Sequence, residues 1–341
     1  MTLVRSLFTL DLAAVRANVR RLRRAAGGSA VWAVVKADAY GHGAPDVARA
    51  ALDAGAGALC VASVAEGVAL RAAARDARIV VLGPSGQEEW EAAREARLEL
   101  VVSRPGRVPD GIPLHLELDT GMGRWGLSEL PAPGRSVVGL MSHFACAESD
   151  PGFTRVQLQR FLEATSGHTQ LTRHVANSAA TLSLPETRLD AVRCGIAVYG
   201  ISPFGDRPEP HGLVPALRWE SEVAQTRLLA PGEGTGYGAT FVAERPTWIG
   251  IVPVGYADGF RRDMSGAEVL VAGERRRVVG TVSMDALAVE LPSELPIGTS
   301  VTLLGDGILA EEHARVAGTI AYEIVCGLNT REPRAQRTVV G

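Results

Sequence analysis

Val35-Lys36-Ala37-Asp38-Ala39-Tyr40-Gly41-His42-Gly43 places a lysine where lysine is seldom found, at the end of an apolar, strand-length run that begins at Val31. An ammonium group there would lose hydration, which lowers its pKa and favours the free amine. A free amine is a nucleophile that can form a Schiff base with a carbonyl compound. Taken alone, the stretch equally fits a strand-end lysine that snorkels to water. Lys36 is also the only lysine in the chain, every other basic side chain of the Lys/Arg set being arginine.

The elements that must position Lys36 come next. Apolar strand-length runs recur at 31–35, 58–62, 79–82, 98–102, 114–118, 137–141, 173–176 and 191–193. Helical patterns alternate with most of them: one capped by Asp11 with Leu12, Val15, Val19 and Leu22 on a face, then 44–55, a Ser63 to Glu66 capping box, 87–96 and 153–164. The fourth connection is proline-rich instead of helical, and the last strand is weakly marked. Parallel β/α units in this number predict a (β/α)8 barrel. Lys36, Arg124, His143, Asn177, Ser178 and Arg193 all fall at or just beyond the C-terminal ends of predicted strands. A barrel gathers those ends on its catalytic face, which turns the reading of Lys36 towards function.

From about residue 213 the pattern changes. Segments 220–229, 247–254, 267–271, 277–281, 286–291 and 300–304 alternate or run apolar between Pro and Gly turns, and a helical patch at 311–318 precedes Tyr322. The expected fold is therefore α/β: a TIM-like barrel over 1–213, followed by a mostly β domain over 214–341.

Composition narrows the classes. A net charge of −3 offers no electrostatic case for nucleic acid, and Arg20 to Arg24 reads as the solvated face of the first helix. Cys60, Cys146, Cys194 and Cys326 are scattered, as are the histidines, so neither a metal site nor a disulfide framework is expected. No transmembrane span or signal peptide is read, and the expected compartment is the cytoplasm. Gly121-Met122-Gly123-Arg124-Trp125-Gly126 matches G-x-G-x-x-G but runs towards Pro131 and Pro133 instead of a helix, which rules out a dinucleotide fold. The glycine-rich 232–238 segment lacks the G-K-[ST] of a P-loop.

The stretch around Lys36 resembles the cofactor-lysine signature of the alanine racemases. The resemblance continues, in family order, through Asp119 to Arg124, Ser142-His143-Phe144-Ala145, His174 with Ala176-Asn177-Ser178, Arg193 with Gly195-Ile196, Tyr237-Gly238-Ala239-Thr240, Gly255 to Gly259, Ser283-Met284-Asp285 and Tyr322-Glu323. It implies that Lys36 carries pyridoxal 5'-phosphate (PLP) and acts as one acid/base. Tyr237, from the partner of a head-to-tail homodimer with shared sites, is implied as the other. Tyr40, Ser178, Tyr322 and the backbone of Gly195 and Ile196 are implied as holding the cofactor's phosphate, and Asn177 is implied as a further cofactor-binding residue. Arg193 would face the ring nitrogen, with His143 beside the ring and His174 behind Arg193. Arg124 and the Met284 backbone would take the substrate carboxylate, Tyr256 would line the access channel, and Asp285 is implied as a supporting residue.

That resemblance implies a cytoplasmic isomerase that interconverts L- and D-alanine and supplies D-alanine for peptidoglycan. A serine or broad-specificity racemase is the near alternative, and a PLP-binding protein without turnover is the distant one. A basic amino-acid decarboxylase is disfavoured, because its ring-nitrogen partner should be acidic and Arg193 is not. At Glu117 the chain departs from the family, where many members carry a lysine modified to a carbamate that holds the substrate-binding arginine. The expectation is that the permanent carboxylate of Glu117 pairs with Arg124 in its place.

Overall fold

The computed structural model describes residues 5–341 and divides them into two compact units, one of residues 13–214 and one of residues 5–12 with 215–341. The first strand, β1 (Leu7–Asp11), pairs only with strands of the second unit. The expected barrel span of 1–213 includes it, whereas its pairing places it in the second unit. Its alternating Phe8 and Leu10, both fully buried, suit a half-buried strand, and Asp11 is followed at once by the helix Leu12–Ala26.

In the first unit, eight parallel strands close a barrel: β2 (Ala30–Val34), β3 (Ala58–Val61), β4 (Ile79–Val81), β5 (Glu99–Val102), β6 (Leu114–Glu117), β7 (Val137–Met141), β8 (Thr172–His174) and β9 (Ala191–Cys194). These are the eight runs expected, each within about two residues of its reading. Helices Ala44–Asp53, Val64–Arg71 and Pro151–Thr165 cross over between strands, while 103–113 and 118–136 run as irregular chain with Pro105, Pro109, Pro131 and Pro133 breaking any helix. In Leu12–Ala26 the buried face is Val15, Val19 and Leu22, and Arg20, Arg23 and Arg24 point to solvent. Asp150 caps Pro151–Thr165 by accepting the Phe153 N–H at 2.9 Å.

The barrel interior is not uniformly apolar. His115, His174 and Arg193 are buried beside Trp32, whose ring centroid lies 4.5 Å from that of His174 and 5.7 Å from that of His115. Gly139 on β7 makes the room. A Cβ there would stand 2.1 Å from His115 Nδ1, so no larger residue fits opposite that imidazole.

The second unit is a nine-stranded sheet with the order β11–β14–β17–β16–β15–β18–β10–β1–β19. Its strands are β10 (Leu217–Glu222), β11 (Gln225–Leu229), β14 (Thr247–Val252), β15 (Glu268–Val271), β16 (Glu274–Val279), β17 (Leu287–Leu291), β18 (Ser300–Leu304) and β19 (Gln336–Val340), with a small hairpin of β12 (Gly234–Thr235) and β13 (Phe241–Val242). All neighbours in the large sheet are antiparallel except β1 and β19. The single run read at 220–229 is two strands, broken at Val223 and Ala224. Strand β19 escaped the reading because its charged and polar start, Gln336-Arg337-Thr338, hides the period. Among the described residues no helix is long and apolar enough to cross a membrane.

Candidate active site

Lys36 follows β2 at the C-terminal end of the barrel and is half-buried. The four residues after it are in the left-handed region, with φ of 52° at Ala37, 52° at Asp38, 55° at Ala39 and 54° at Tyr40. For non-glycine residues this costs on the order of 1–2 kcal/mol each, so the turn needs strong external ties. They are present. Ala37 N–H donates to Glu66 Oε1 at 2.9 Å, Ala44 N–H to Asp38 Oδ1 at 2.8 Å, and His42 Nδ1 contacts the Tyr40 carbonyl at 2.9 Å. Tyr199 packs against Tyr40 with the rings tilted and their centroids 5.0 Å apart, and donates its hydroxyl to the Val34 carbonyl at 2.7 Å. Glu66 was expected to close a capping box on Ser63. Ser63 does cap the helix, accepting the Glu66 N–H at 3.2 Å, but the Glu66 carboxylate reaches past it to the N–H groups of Ala62 and Ala37.

Beside β2 runs β9, in a register that sets Trp32 opposite Arg193 and Ala33 opposite Cys194. Arg193 is 3% exposed and makes its hydrogen bonds through its two terminal nitrogens. Nη1 donates to His174 Nδ1 and to the His174 carbonyl, both at 2.6 Å. Nη2 donates to the Ser142 carbonyl at 2.7 Å and to His143 Nδ1 at 3.2 Å. Its Nε–H has no partner among the described residues, which leaves one directed donor for a ligand. Burial lowers the Arg193 pKa, but a guanidinium stays protonated and can only donate. His143 and His174 must therefore accept at Nδ1 and carry their protons at Nε2. Burial and then the charges of Arg193, Arg124 and Lys36 push His143 down to about 3, so it is neutral at physiological pH. Gln157 anchors this loop by donating to the His143 carbonyl at 3.1 Å.

Next to Arg193, the hydroxyls of Tyr40 and Ser178 meet the backbone of Gly195. Ser178 Oγ accepts the Gly195 N–H at 3.0 Å, and a Cβ on residue 195 would stand 2.4 Å from the Tyr40 hydroxyl. The Gly195 N–H is thus engaged by Ser178, and the two hydroxyls beside the turn into Ile196–Tyr199 bring polar groups together where an anion such as a phosphate could be held. Asn177 caps the helix Ser178–Ser183, its side-chain oxygen accepting the Ala180 N–H at 3.0 Å, which fixes the start of the helix that carries Ser178.

Glu117 ends β6, is 4% exposed, and lines a small cavity with Arg124, Ser142 and His143. The expected ion pair with Arg124 is not formed. Asp119 accepts the N–H groups of Gly121, Met122 and Gly123, fixing a loop on which Arg124 is exposed and lies 5.0 Å over the Trp125 ring. Glu117 Oε2 is buried without a hydrogen-bond partner. Burial raises its pKa, opposed by Arg193 and Arg124.

The remaining expected site residues stand on the second unit. Tyr237 opens a short turn and is 71% exposed, Met284 is 52% exposed and Tyr256 is 43% exposed. Their turns are tied together: Tyr256 N–H donates to the Ser283 carbonyl at 3.0 Å, and the Thr240 and Thr281 hydroxyls meet at 3.0 Å. Asp285 pairs with Arg334 at 2.7 Å and Arg5 at 3.0 Å, while Tyr322 lies half-buried in the helix Ala321–Cys326. Sequence reasoning missed Glu66, Glu99, His115 and Tyr199. A signal existed for two of them, since Glu99 and His115 are polar residues inside runs read as buried strands.

Comparison with known proteins agrees with this layout. Residues 10–203 match the family model described as alanine racemase, N-terminal domain, and residues 216–336 match that of the alanine racemase C-terminal domain. The chain is 42% identical to the alanine racemase of Symbiobacterium thermophilum, over 95% of each protein, and 41% identical to that of Streptomyces coelicolor, over 95% of this chain and 94% of the other. It is structurally similar to the biosynthetic alanine racemase of Pseudomonas aeruginosa, with a TM-score of 0.92 at 36% identity, covering 99% of this chain and 100% of that one.

Proposed function

The chain belongs to the alanine racemase family and is an isomerase that racemises alanine, and on that premise we propose that it does so with PLP and two bases, in a homodimer with shared sites. The observation that carries the cofactor reading is the pairing, at one end of the barrel, of the chain's only lysine with a buried arginine whose Nε–H is unused. Lys36 would hold the cofactor, Tyr40, Ser178 and the backbone of Gly195 and Ile196 its phosphate, and Arg193 its ring nitrogen. The Tyr40–Gly195 contact and the Ser178 hydroxyl support the phosphate assignment.

PLP, when bound, withdraws electrons from the substrate's α-carbon and so makes the α-proton acidic. The protein then has to move that proton. Lys36 takes it from one face, and the partner subunit's Tyr237 delivers a proton to the other face, so the centre inverts and no proton is gained or lost. In the reverse direction the two exchange roles. His143, neutral and protonated at Nε2, can donate to the phenol oxygen and stabilise its ionised form. Arg193 would donate to the ring nitrogen and, because a guanidinium keeps its proton, would leave that nitrogen unprotonated, a setting that would restrain side reactions such as transamination. Arg124 and the Met284 backbone would bind the substrate carboxylate. The product suits the supply of D-alanine for cell-wall peptide.

Borohydride reduction of the purified protein should attach the cofactor to the peptide containing Lys36. With no other lysine in the chain, a labelled peptide elsewhere, or none, would overturn the assignment.

A further inference from the structure

Behind Arg193 a line of hydrogen bonds runs through the barrel away from the site. His174 Nε2 meets His115 Nδ1 at 2.9 Å, His115 Nε2 meets Glu99 Oε2 at 2.8 Å, and Glu99 accepts Nε and Nη2 of Arg78 at 2.8 Å each. The residues climb the barrel in order. Glu99 is the first residue of β5, His115 the second of β6 and His174 the last of β8. Arg78 closes the far end, immediately before β4, with its guanidinium 5.0 Å over the ring of Trp32, which also packs against the two imidazoles.

Each end of this line permits one proton arrangement. Arg193 can only donate, so His174 accepts at Nδ1 and donates from Nε2. His115 must then accept at Nδ1 and donate from Nε2 to Glu99, an ionised acceptor that two Arg78 donors hold in place. The polarity is the same at every step, and no member is left with two donors or two acceptors facing each other. Charge distribution agrees. Burial lowers the pKa of both histidines, keeping them neutral, and Glu99 lies at about 2, its burial outweighed by His115 and Arg78.

We propose that Glu99 and His115 are positioning residues for Arg193: the carboxylate at the far end of the barrel fixes the tautomers of His115 and His174, and thereby the plane of the guanidinium and the direction of its free Nε–H. The inference rests on the reading of Arg193 as the partner of the cofactor's ring nitrogen. In Glu99→Gln, an amide N–H turned towards His115 would favour the opposite tautomer, and the conflict would travel to Arg193.

The first measurement needs no variant. Nitrogen-15 spectra of the full-length protein, with cofactor bound and removed, should show Nδ1 of His115 and His174 as bare and Nε2 as protonated; the reverse at either residue overturns the proposal. In Glu99→Gln the Nδ1–H form of His115 should appear, kcat should fall about tenfold, the scale of one lost charged hydrogen bond, KM for alanine should hold, and the cofactor's visible band should shift. A lower kcat with unchanged tautomers would mean a merely structural role and overturn the proposal. Altered tautomers with an unshifted band would overturn the link to the cofactor, a failure separate from that of the borohydride label.

Discussion

The two units present their candidate site residues in opposite ways. On the barrel, Arg193, His174, Ser178 and the Lys36 turn are buried or tied by hydrogen bonds inside the unit. On the second unit, Tyr237, Tyr256 and Met284 project from turns whose backbones are fixed but whose side chains are largely exposed. A base works only when held within reach of the proton it moves. The barrel residues meet that condition within the chain, whereas an exposed Tyr237 calls for another surface to complete its environment. That contrast is what a site shared between two copies would produce, one copy supplying the cradle and the other the second base.

The strongest way to break this contrast is to test the exposed side first. Tyr237→Phe keeps the ring and removes the hydroxyl, and kcat should fall about 10² to 10⁴-fold, as for other acid/base groups. Bound cofactor should remain, since the barrel cradle is untouched. If the site is shared between two copies, mixing inactive Tyr237→Phe with inactive Lys36→Ala should then restore part of the activity, because a hybrid dimer would hold one intact site. No recovery after demonstrated subunit exchange would place both bases within one chain and remove the argument from exposure.

A smaller effect should sharpen the barrel side. Glu66 accepts two backbone N–H groups, one of them from Ala37 in the left-handed turn. Glu66→Gln leaves one acceptor and sets an amide donor against the other N–H, a loss of about 1 kcal/mol. Amide exchange over residues 36–43 should quicken several-fold and kcat should fall by a similar factor, while exchange around Tyr237 and Tyr256 stays as it was. Unaltered exchange at Ala37 would show that the turn is held by something other than Glu66.

How much of this was legible in the sequence follows the same division. The barrel could be read because most strands are apolar runs and several crossovers carry a helical period, the proline-rich 103–113 and 118–136 excepted, and Lys36, His143 and Arg193 stand out at strand ends. The ties behind them could not. Whether Glu66 closes on Ser63 or reaches Ala37 depends on the left-handed turn, and the His115–His174 contact joins residues 59 positions apart. Gly139 read as nothing in particular until the imbalance of space around His115 was known. β1 was assigned to the barrel because chain order, not pairing, was the only guide to its unit. On the second unit the turns bearing Tyr237 and Tyr256 carry no periodic signal, and the resemblance to a family, not local pattern, singled them out.

The smallest expected effect lies at Glu117, where the barrel departs from its own rule of satisfied polar groups. Its Oε2 has no partner, and burial raises its pKa above the ordinary carboxylate value. The sign follows from linkage. Above about pH 4.3 the unfolded chain has lost this proton while the folded chain still binds it, so this group's contribution to stability falls as pH rises through the raised pKa. Glu117→Gln removes the titration. The variant should match the wild type near pH 4 and exceed it at pH 7 by about 1 kcal/mol, a rise in Tm of about 2 °C. An uncharged side chain would thus be the more stable choice, so the carboxylate calls for a functional reason; Glu117 and Arg124 line the same small cavity, and were substrate to draw Arg124 inward, Glu117 would orient it. KM for alanine should therefore rise in the same variant with little change in kcat, and added bicarbonate should leave wild-type activity unaltered. Equal Tm values across the pH range would show that the carboxyl is solvated, and an unchanged KM would show that Arg124 binds substrate without it.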